Sequence, residues 1–287
     1  MTDRRAARRE GAYPPAPQPL AAEVLDSHCH LDIGTDEVSM SVDDAVAAAA
    51  AVGVTRLVQI GCDLPSARWS VDVAVAQPHV VAGVALHPNE APRIAAAQGR
   101  AALDAAYEEI DELASHERVR AIGETGMDFF RTEEGGRAVQ EESFRRHIAM
   151  AKKHRKALVI HDRDSHDAVL RILEDEGAPE RVVFHCFSGD ADMARHCVER
   201  GWVLSFAGTV TFKNAEPLRE ALRATPLDQL LVETDAPFLT PAPHRGRPNA
   251  SFLIPLTLRA MAHEKAVGEA EMATRIWATG ERMFGPI

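Results

Sequence analysis

The sequence predicts a single-domain α/β protein with the (β/α)8 architecture of a TIM-type barrel. Three observations lead to this prediction. Eight short apolar runs rich in β-branched residues recur from residue 24 onward, stretches with helical spacing separate them, and the eight units fit within about 210 residues. Continuous apolar strands that alternate with helices are typical of parallel sheets, and eight such units close into a barrel of roughly 250 residues.

The predicted strands follow one another in a regular order along the chain. Between them, side chains such as Leu103, Tyr107 and Ile110 recur at helical spacing. Two further helix-like stretches, at about 251–263 and 269–283, close the chain. The runs predicted as strands are VLDSH (24–28), TRLVQIG (55–61), VVAGVAL (80–86), VRAIGE (119–124), ALVIH (157–161), VVFH (182–185), WVLSF (202–206) and LLVETD (230–235).

The barrel domain is expected to span residues 24–287. Residues 1–23 are rich in arginine and then in proline, and no apolar segment completes a secretory signal, so a disordered extension is predicted there. The four cysteines form no Cys-x-x-Cys pair, which favours reduced thiols and a cytoplasmic location. No stretch approaches the roughly 18–20 consecutive apolar residues of a membrane span.

Composition and charge exclude several classes of protein. Apolar residues make up 46% and charged residues 26% of the chain, proportions that belong to a folded globular protein and not to a disordered one. The net charge is −11, and it is more negative still without the arginine-rich first ten residues. A body this acidic has no broad affinity for phosphate backbones, so any contact with nucleic acid must be local.

Candidate metal ligands stand at the ends of most predicted strands. Barrel enzymes carry their sites there, because the loops after the eight strands converge at the mouth. His28 and His30 are two residues apart and face the same side of the first strand, while Cys29 points elsewhere. Imidazole and carboxylate groups suit Zn²⁺, Mn²⁺ or a related divalent ion. Five of the other strands contribute one candidate each: His87, Glu124, His161, His185 and Asp235.

Each of these residues has a structural alternative when it is taken alone. A strand-end carboxylate is often a helix N-cap or an ion-pair partner, and His87, followed by a proline, could simply begin a turn. The coincidence favours a metal centre, since five strand ends supply six ligand-type side chains besides His87. Six ligands exceed the need of one catalytic ion with an open position, which favours two ions about 3.5–4 Å apart with Glu124 as the bridge.

The segments that carry these residues resemble the TatD family of metal-dependent deoxyribonucleases, within the amidohydrolase-like barrel superfamily. DSHCHLD, GETGMDFF, VIHDRD, VFHCFSG and LVETDAPFLTP match the family's motifs in order, and the resemblance covers about residues 24–285. One departure stands out, since Ala250 and Ser251 replace a common Glu-Pro pair. A more modest change is Phe130, which stands where tyrosine is frequent. The resemblance implies a first metal site that Glu124 forms with His28, His30 and Asp235, and a second that it forms with His161 and His185.

The function that the resemblance implies is hydrolysis of DNA phosphodiesters by a water that two divalent ions (zinc, manganese or magnesium) activate. Asp235 is the expected general base and Glu124 the bridging catalytic carboxylate. The expected reaction takes place at single-stranded 3′ ends, in the manner of a 3′–5′ exonuclease. The excess of acidic residues favours short accessible ends over long duplex. We expect no membrane contact and no stable protein partner. Substrate contacts are expected from His87, Arg163, Lys213, Arg245 and Arg247.

Two other functions stay open at this point. The same ligands suit attack on a carbonyl, so the first alternative is an ester or amide hydrolase, such as a deacylase acting on aminoacyl-tRNA. Several arginines free of local partners at the mouth would favour phosphate instead. The second alternative is a non-catalytic barrel that binds metal or nucleic acid, against which the completeness of the ligand set argues. Glu233 also faces inward, and is expected either to tune a ligand or to satisfy a buried donor.

Overall fold

Eight parallel strands form one sheet, in chain order, in the computed structural model, which describes residues 12–34 and 38–286. The sheet closes where Cys29 bridges Ala236 and the His30 amide donates a 2.9 Å hydrogen bond to the Ala236 carbonyl. The predicted (β/α)8 barrel is therefore confirmed. The strands are β1 (Val24–Cys29), β2 (Val54–Gly61), β3 (Val80–Val84), β4 (Val119–Asp128), β5 (Ala157–Arg163), β6 (Val182–Phe184), β7 (Val203–Phe206) and β8 (Leu230–Val232).

Helices connect the strands along the chain. Their apolar stripes face the barrel, as Leu103, Tyr107 and Ile110 show in the fourth helix. Short 3-10 helices occur at Gly208–Thr211, Leu227–Gln229 and Ser251–Leu253. The α-helices are α1 (Val42–Ala50), α2 (Leu64–Ala76), α3 (Glu90–Gln98), α4 (Arg100–Leu113), α5 (Glu134–His154), α6 (His166–Glu176), α7 (Ala191–Glu199), α8 (Glu216–Ala224), α9 (Ile254–Glu264) and α10 (Glu269–Phe284).

The junction between the first and last strands is covered by a helix on its outer side and joined by hydrogen bonds on its inner side. Helix α10 contacts both β1 and β8, and a Cβ added at Gly280 would come within 2.5 Å of the Leu25 side chain. Only a residue without a side chain permits that approach. On the inner side, the buried Asp26 carboxylate accepts hydrogen bonds from the Thr234 amide (2.9 Å) and hydroxyl (2.5 Å). These contacts fix the ends of the strands that carry the site.

The observed strands differ from the predicted ones chiefly at the mouth of the barrel. Strand β4 continues to Asp128, beyond the predicted end at Glu124. Strands β3 and β8 are shorter, so His87 and Asp235 lie in the segments that follow them. The predicted closing helices are present as α9 and α10. The mouth is therefore built from strand ends and from the first residues of the loops.

The structure describes residues 12–23 of the segment 1–23, which was predicted to be a disordered extension. Residues 1–11 lie outside the described residues, whereas the following segment lies against the barrel. The Leu20 amide donates to the Val52 carbonyl over 3.0 Å, and the Tyr13 ring makes an edge contact with Phe252. In the described ranges, no helix combines the length and the apolar character needed to cross a membrane, and the four cysteines form no disulfide.

Candidate metal centre

The six ligand candidates converge at the mouth of the barrel, where the carboxyl ends of the strands meet. A pocket of about 620 Å³ opens there. His28 is fully buried beneath it, and the other five line its wall. The six side chains, in chain order, are His28, His30, Glu124, His161, His185 and Asp235.

A first group of ligand atoms consists of two imidazole nitrogens and two carboxylate oxygens. The Nε2 atoms of His28 and His30 are 3.3 Å apart, and Asp235 Oδ1 lies 3.4 Å from that of His30. Glu124 Oε2 lies 3.5 Å from His28 Nε2 and 4.0 Å from His30 Nε2. Ligand atoms held about 2.1 Å from a tetrahedral ion are about 3.4 Å apart. The spacing of this group therefore fits one divalent ion.

A second group forms around the other oxygen of Glu124. Glu124 Oε1 lies 2.6 Å from His161 Nδ1 and 2.9 Å from His185 Nε2. The two oxygens of one carboxylate thus face different sets of histidines. This is the arrangement that a bridging carboxylate requires.

Contacts on the far side of three imidazoles determine where their lone pairs point. His30 Nδ1 donates to a β2 carbonyl oxygen 3.0 Å away. His185 Nδ1 faces the carboxylate of Glu233 at 3.2 Å, and His161 Nε2 faces that of Asp128 at 3.4 Å. Because a neutral imidazole has one N–H, the opposite nitrogen of each ring turns a lone pair toward the carboxylates of the cluster. Lone pairs and carboxylate oxygens repel one another unless a cation lies between them, so this donor set fits divalent metal.

The pKa shifts in the cluster also indicate that its carboxylates favour positive charge beside them. Burial acts to lower the pKa of His185, but the carboxylates of Glu124 and Glu233 outweigh it and hold that pKa well above its usual value. Burial acts to raise the pKa of Glu124, but His185 and His87 hold it well below its usual range. Protons on the imidazoles thus supply the charge that a divalent ion would supply on displacing them.

Two backbone features bring the carboxylates into place. Gly126 lies two residues after Glu124 at φ +131°, and a Cβ there would come 2.1 Å from the His161 carbonyl oxygen. Only glycine therefore lets β4 approach β5 closely enough for Glu124 to meet His161. Asp235 adopts φ +52°, a left-handed conformation that costs a non-glycine residue about 1–3 kcal/mol and is typical of functional sites.

Two of the predicted substrate contacts line the pocket. His87 Nε2 lies 3.4 Å from Glu124 Oε1, and the Asn89 amide donates to His87 Nδ1 over 3.2 Å. Because Nδ1 accepts that bond, the proton of neutral His87 is on Nε2, which makes it a hydrogen-bond donor facing the pocket. Arg163 also lines the pocket, and so does Arg131, which was not predicted.

The other three predicted substrate contacts do not line this pocket. Lys213 is exposed beyond β7. The guanidinium of Arg245 lies 4.5 Å from the ring centre of Phe212. Arg247 donates to the carbonyl oxygens of Ala12 and Tyr13, so it anchors the segment before β1.

The sequence reading missed Asp128, which the structure places behind His161. Its carboxylate accepts hydrogen bonds from the Asn89 side chain (3.1 Å) and from the Arg131 amide (2.8 Å). The even spacing of Glu124, Gly126 and Asp128 on one strand face was the signal that could have found it. Glu233, in contrast, makes the contact with a ligand that was one of its two expected roles.

The chain is similar to known proteins in both sequence and fold. The model of the family described as TatD related DNase matches residues 25–285. The uncharacterized metal-dependent hydrolase TatD of Mycobacterium tuberculosis is 44% identical over 91% of this chain and 98% of its own length. The uncharacterized metal-dependent hydrolase YcfH of Escherichia coli K12 is 38% identical over 91% and 95%. The crystal structure of YJJV, a TatD homologue from Escherichia coli K12, shares the fold with a TM-score of 0.82, at 23% identity over 92% of this chain and 98% of that one.

Proposed function

Because the chain belongs to the TatD family of metal-dependent hydrolases, we propose that it hydrolyses phosphodiester bonds near the 3′ ends of single-stranded DNA, with two divalent ions. Zinc, manganese and magnesium are the candidate ions. His28, His30, Glu124 and Asp235 would hold the first ion, and Glu124, His161 and His185 the second.

The observation that carries the choice of a phosphate substrate is the pair of arginines at the pocket. Arg131 and Arg163 line it, and within the described residues neither guanidinium forms an ion pair with a carboxylate. Most arginines on the outer helices do form such pairs, as Arg100 and Arg145 illustrate. Cationic groups without a carboxylate partner beside a metal pocket favour an anionic phosphodiester over a neutral ester.

Exposure and ionisation distinguish the roles of Asp235 and Glu124. The side chain of Asp235 is 16% exposed and that of Glu124 only 6%, so Asp235 is the carboxylate that a water in the pocket can reach. Burial acts to raise the pKa of Asp235, but the hydrogen bond with His30 and the charge of His185 hold it below its usual value. Asp235 is therefore ionised at neutral pH, and Oδ1 or Oδ2 accepts a proton from the attacking water.

Two further groups act on the substrate. The Nε2–H of His87 faces the pocket and donates a hydrogen bond to a phosphoryl oxygen, where negative charge develops. Divalent ions held by these ligands would supply positive charge to polarise the phosphoryl oxygen and acidify water. Preference for a strand end follows from the net charge of −11, since a long duplex would meet an acidic surface outside the pocket.

The experiment compares three substrates: 5′-labelled single-stranded DNA, the same DNA as a closed circle, and an aminoacyl ester. The protein's metal content is measured first. The native protein should shorten the linear DNA from its 3′ end and leave the circle and the ester intact. Asp235→Asn should lower kcat by about 100- to 10,000-fold, the usual contribution of a general base. The matched control is Asp192→Asn on α7, whose side chain is 86% exposed and does not line the metal pocket.

Each alternative predicts a different outcome. Turnover of the ester without turnover of DNA would replace the nuclease with the deacylase. Cutting of the circle at the rate of the linear strand would rule out the requirement for an end. Full activity of Asp235→Asn at unchanged metal content would remove Asp235 as the base.

A further inference from the structure

Large exposed apolar side chains cluster at the mouth of the barrel. In the part of the chain that the structure describes, four such residues are exposed: Ile33, Val75, Phe130 and Phe238. Ile33 and Phe238 line the metal pocket, and Phe130 directly precedes Arg131 of its wall. Of the four, only Val75, on α2, lies away from the pocket. Apolar groups that gather beside a polar site mark a place where a ligand with an apolar face binds.

Phe130 is the most exposed of the four, and it is stacked with a cation. Its side chain is 63% exposed, and the guanidinium carbon of Arg163 lies 3.9 Å from the centre of its ring. The backbone fixes this pair, because Phe129 donates a 2.9 Å hydrogen bond to the Arg163 carbonyl and Asp128 pairs with Arg163 across β4 and β5. One face of the ring is thus covered by the guanidinium, and the rest of the ring is open.

The pair of Phe130 and Arg163 lies beside the metal centre. Arg163 lies two residues after His161 on β5 and lines the same pocket, so the pair borders the pocket that holds the ligand cluster. A strand whose phosphate occupied the cluster would have the adjoining base within reach of the rim. A planar ring backed by a cation is the surface on which nucleobases stack, and stacking tolerates any base because every base has a π face.

We propose that Phe130 and Arg163 form a stacking platform for the nucleobase next to the phosphodiester that is cut. This proposal rests on the proposed function, since it assumes that single-stranded DNA is the substrate. Phe130 supplies the aromatic face, and Arg163 keeps the ring in position and attracts the adjoining phosphate. The platform makes unpaired bases a requirement of binding, because a base stacked within a duplex has no free face.

The test measures binding separately from cleavage. The probe is a short fluorescein-labelled oligodeoxynucleotide with phosphorothioate linkages that resist hydrolysis, titrated with the native protein in the presence of Mn²⁺. A second probe has abasic residues in place of the 3′-terminal bases. Phe130→Ala should weaken binding of the first probe by about 5- to 100-fold, the range for loss of one stacked base. Phe130→Leu should weaken it similarly, whereas Phe130→Tyr should retain the native affinity.

Two controls separate stacking from other effects. Val75→Ala removes an equally exposed apolar side chain on α2 and should leave the affinity unchanged. The abasic probe should bind the native protein and Phe130→Ala equally weakly, because the interaction lost in each case is the same one. Thermal unfolding of each variant checks the fold, and the exposure of Phe130 predicts little change in stability.

The platform is overturned if Phe130→Ala binds the first probe as the native protein does, or if it loses equal affinity for the abasic probe. It is also overturned if the native protein binds neither probe. The two proposals fail separately. Cleavage that does not depend on Phe130 would leave the nuclease without the platform, and Phe130-dependent binding without cleavage would leave the platform without the nuclease.

Discussion

A buried histidine behind the metal centre predicts how the stability of the protein depends on pH. His147 of α5 is fully buried, and it joins the segments on either side of the site. The Leu86 amide donates to its Nε2 over 3.3 Å, and Thr125 Oγ1 lies 2.8 Å from its Nδ1. Leu86 precedes His87, and Thr125 follows Glu124. Because Nε2 must accept, protonation of the ring would break the bond to Leu86.

Burial, only partly offset by a hydrogen bond with the backbone of Ser143, lowers the pKa of His147 from 6.5 to about 3. Between these values the unfolded chain binds a proton and the native protein does not, so the free energy of unfolding falls as the pH falls. For an unfolded-state pKa of 6.5, the loss between pH 7 and pH 5 is about 2 kcal/mol from this residue alone.

The assay is urea unfolding of the metal-free protein at both pH values, for the native sequence and for His147→Gln. Glutamine does not titrate, so the stability difference between native protein and variant should shrink by about 2 kcal/mol from pH 7 to pH 5. The control is His263→Gln at the exposed end of α9, which should leave the native pH dependence in place. A stability difference for His147→Gln that does not change with pH would show that His147 does not take up a proton on unfolding in this pH range.

Two further predictions concern residues that shape the metal centre. Asp128→Asn removes the charge that faces His161 Nε2 and should weaken binding of one divalent ion by about 10- to 100-fold, with the other ion less affected. Isothermal titration can measure both affinities. Equal weakening of both ions, or of neither, would contradict this role of Asp128. Gly126→Ala places a Cβ against the His161 carbonyl at positive φ and should lower the free energy of unfolding by at least about 1–3 kcal/mol. The matched control is Gly135→Ala in the open first turn of α5, which should be neutral or stabilising by up to about 1 kcal/mol. A similar loss of unfolding free energy in both variants would show that the contact between β4 and β5 does not require Gly126.

The repeating part of the fold could be predicted because its signals are local. Apolar runs and helical spacing identify each strand and helix, and the position of a ligand at a strand end follows from the run that precedes it. His28, His161 and His185 were predicted at the mouth of the barrel in this way. The barrel supplied the three-dimensional relation among them, since all parallel strands end at the same rim.

The remainder depends on loop conformation and on contacts between distant segments. No periodicity encodes where a loop side chain points, so Arg247 was expected at the substrate and instead binds the carbonyls of Ala12 and Tyr13. The same reason explains why Arg131 was missed. Asp128 was missed because the predicted strand stopped at Glu124, although the observed β4 continues on the same face.

The most direct test of the central claim is anomalous X-ray diffraction from crystals grown with manganese. Two peaks are expected about 3.5–4 Å apart, on either side of the Glu124 carboxylate. One should lie among His28, His30 and Asp235, and the other between His161 and His185. A map with no peak at these side chains, or with manganese bound only elsewhere on the protein, would contradict the assignment of this cluster as the metal centre.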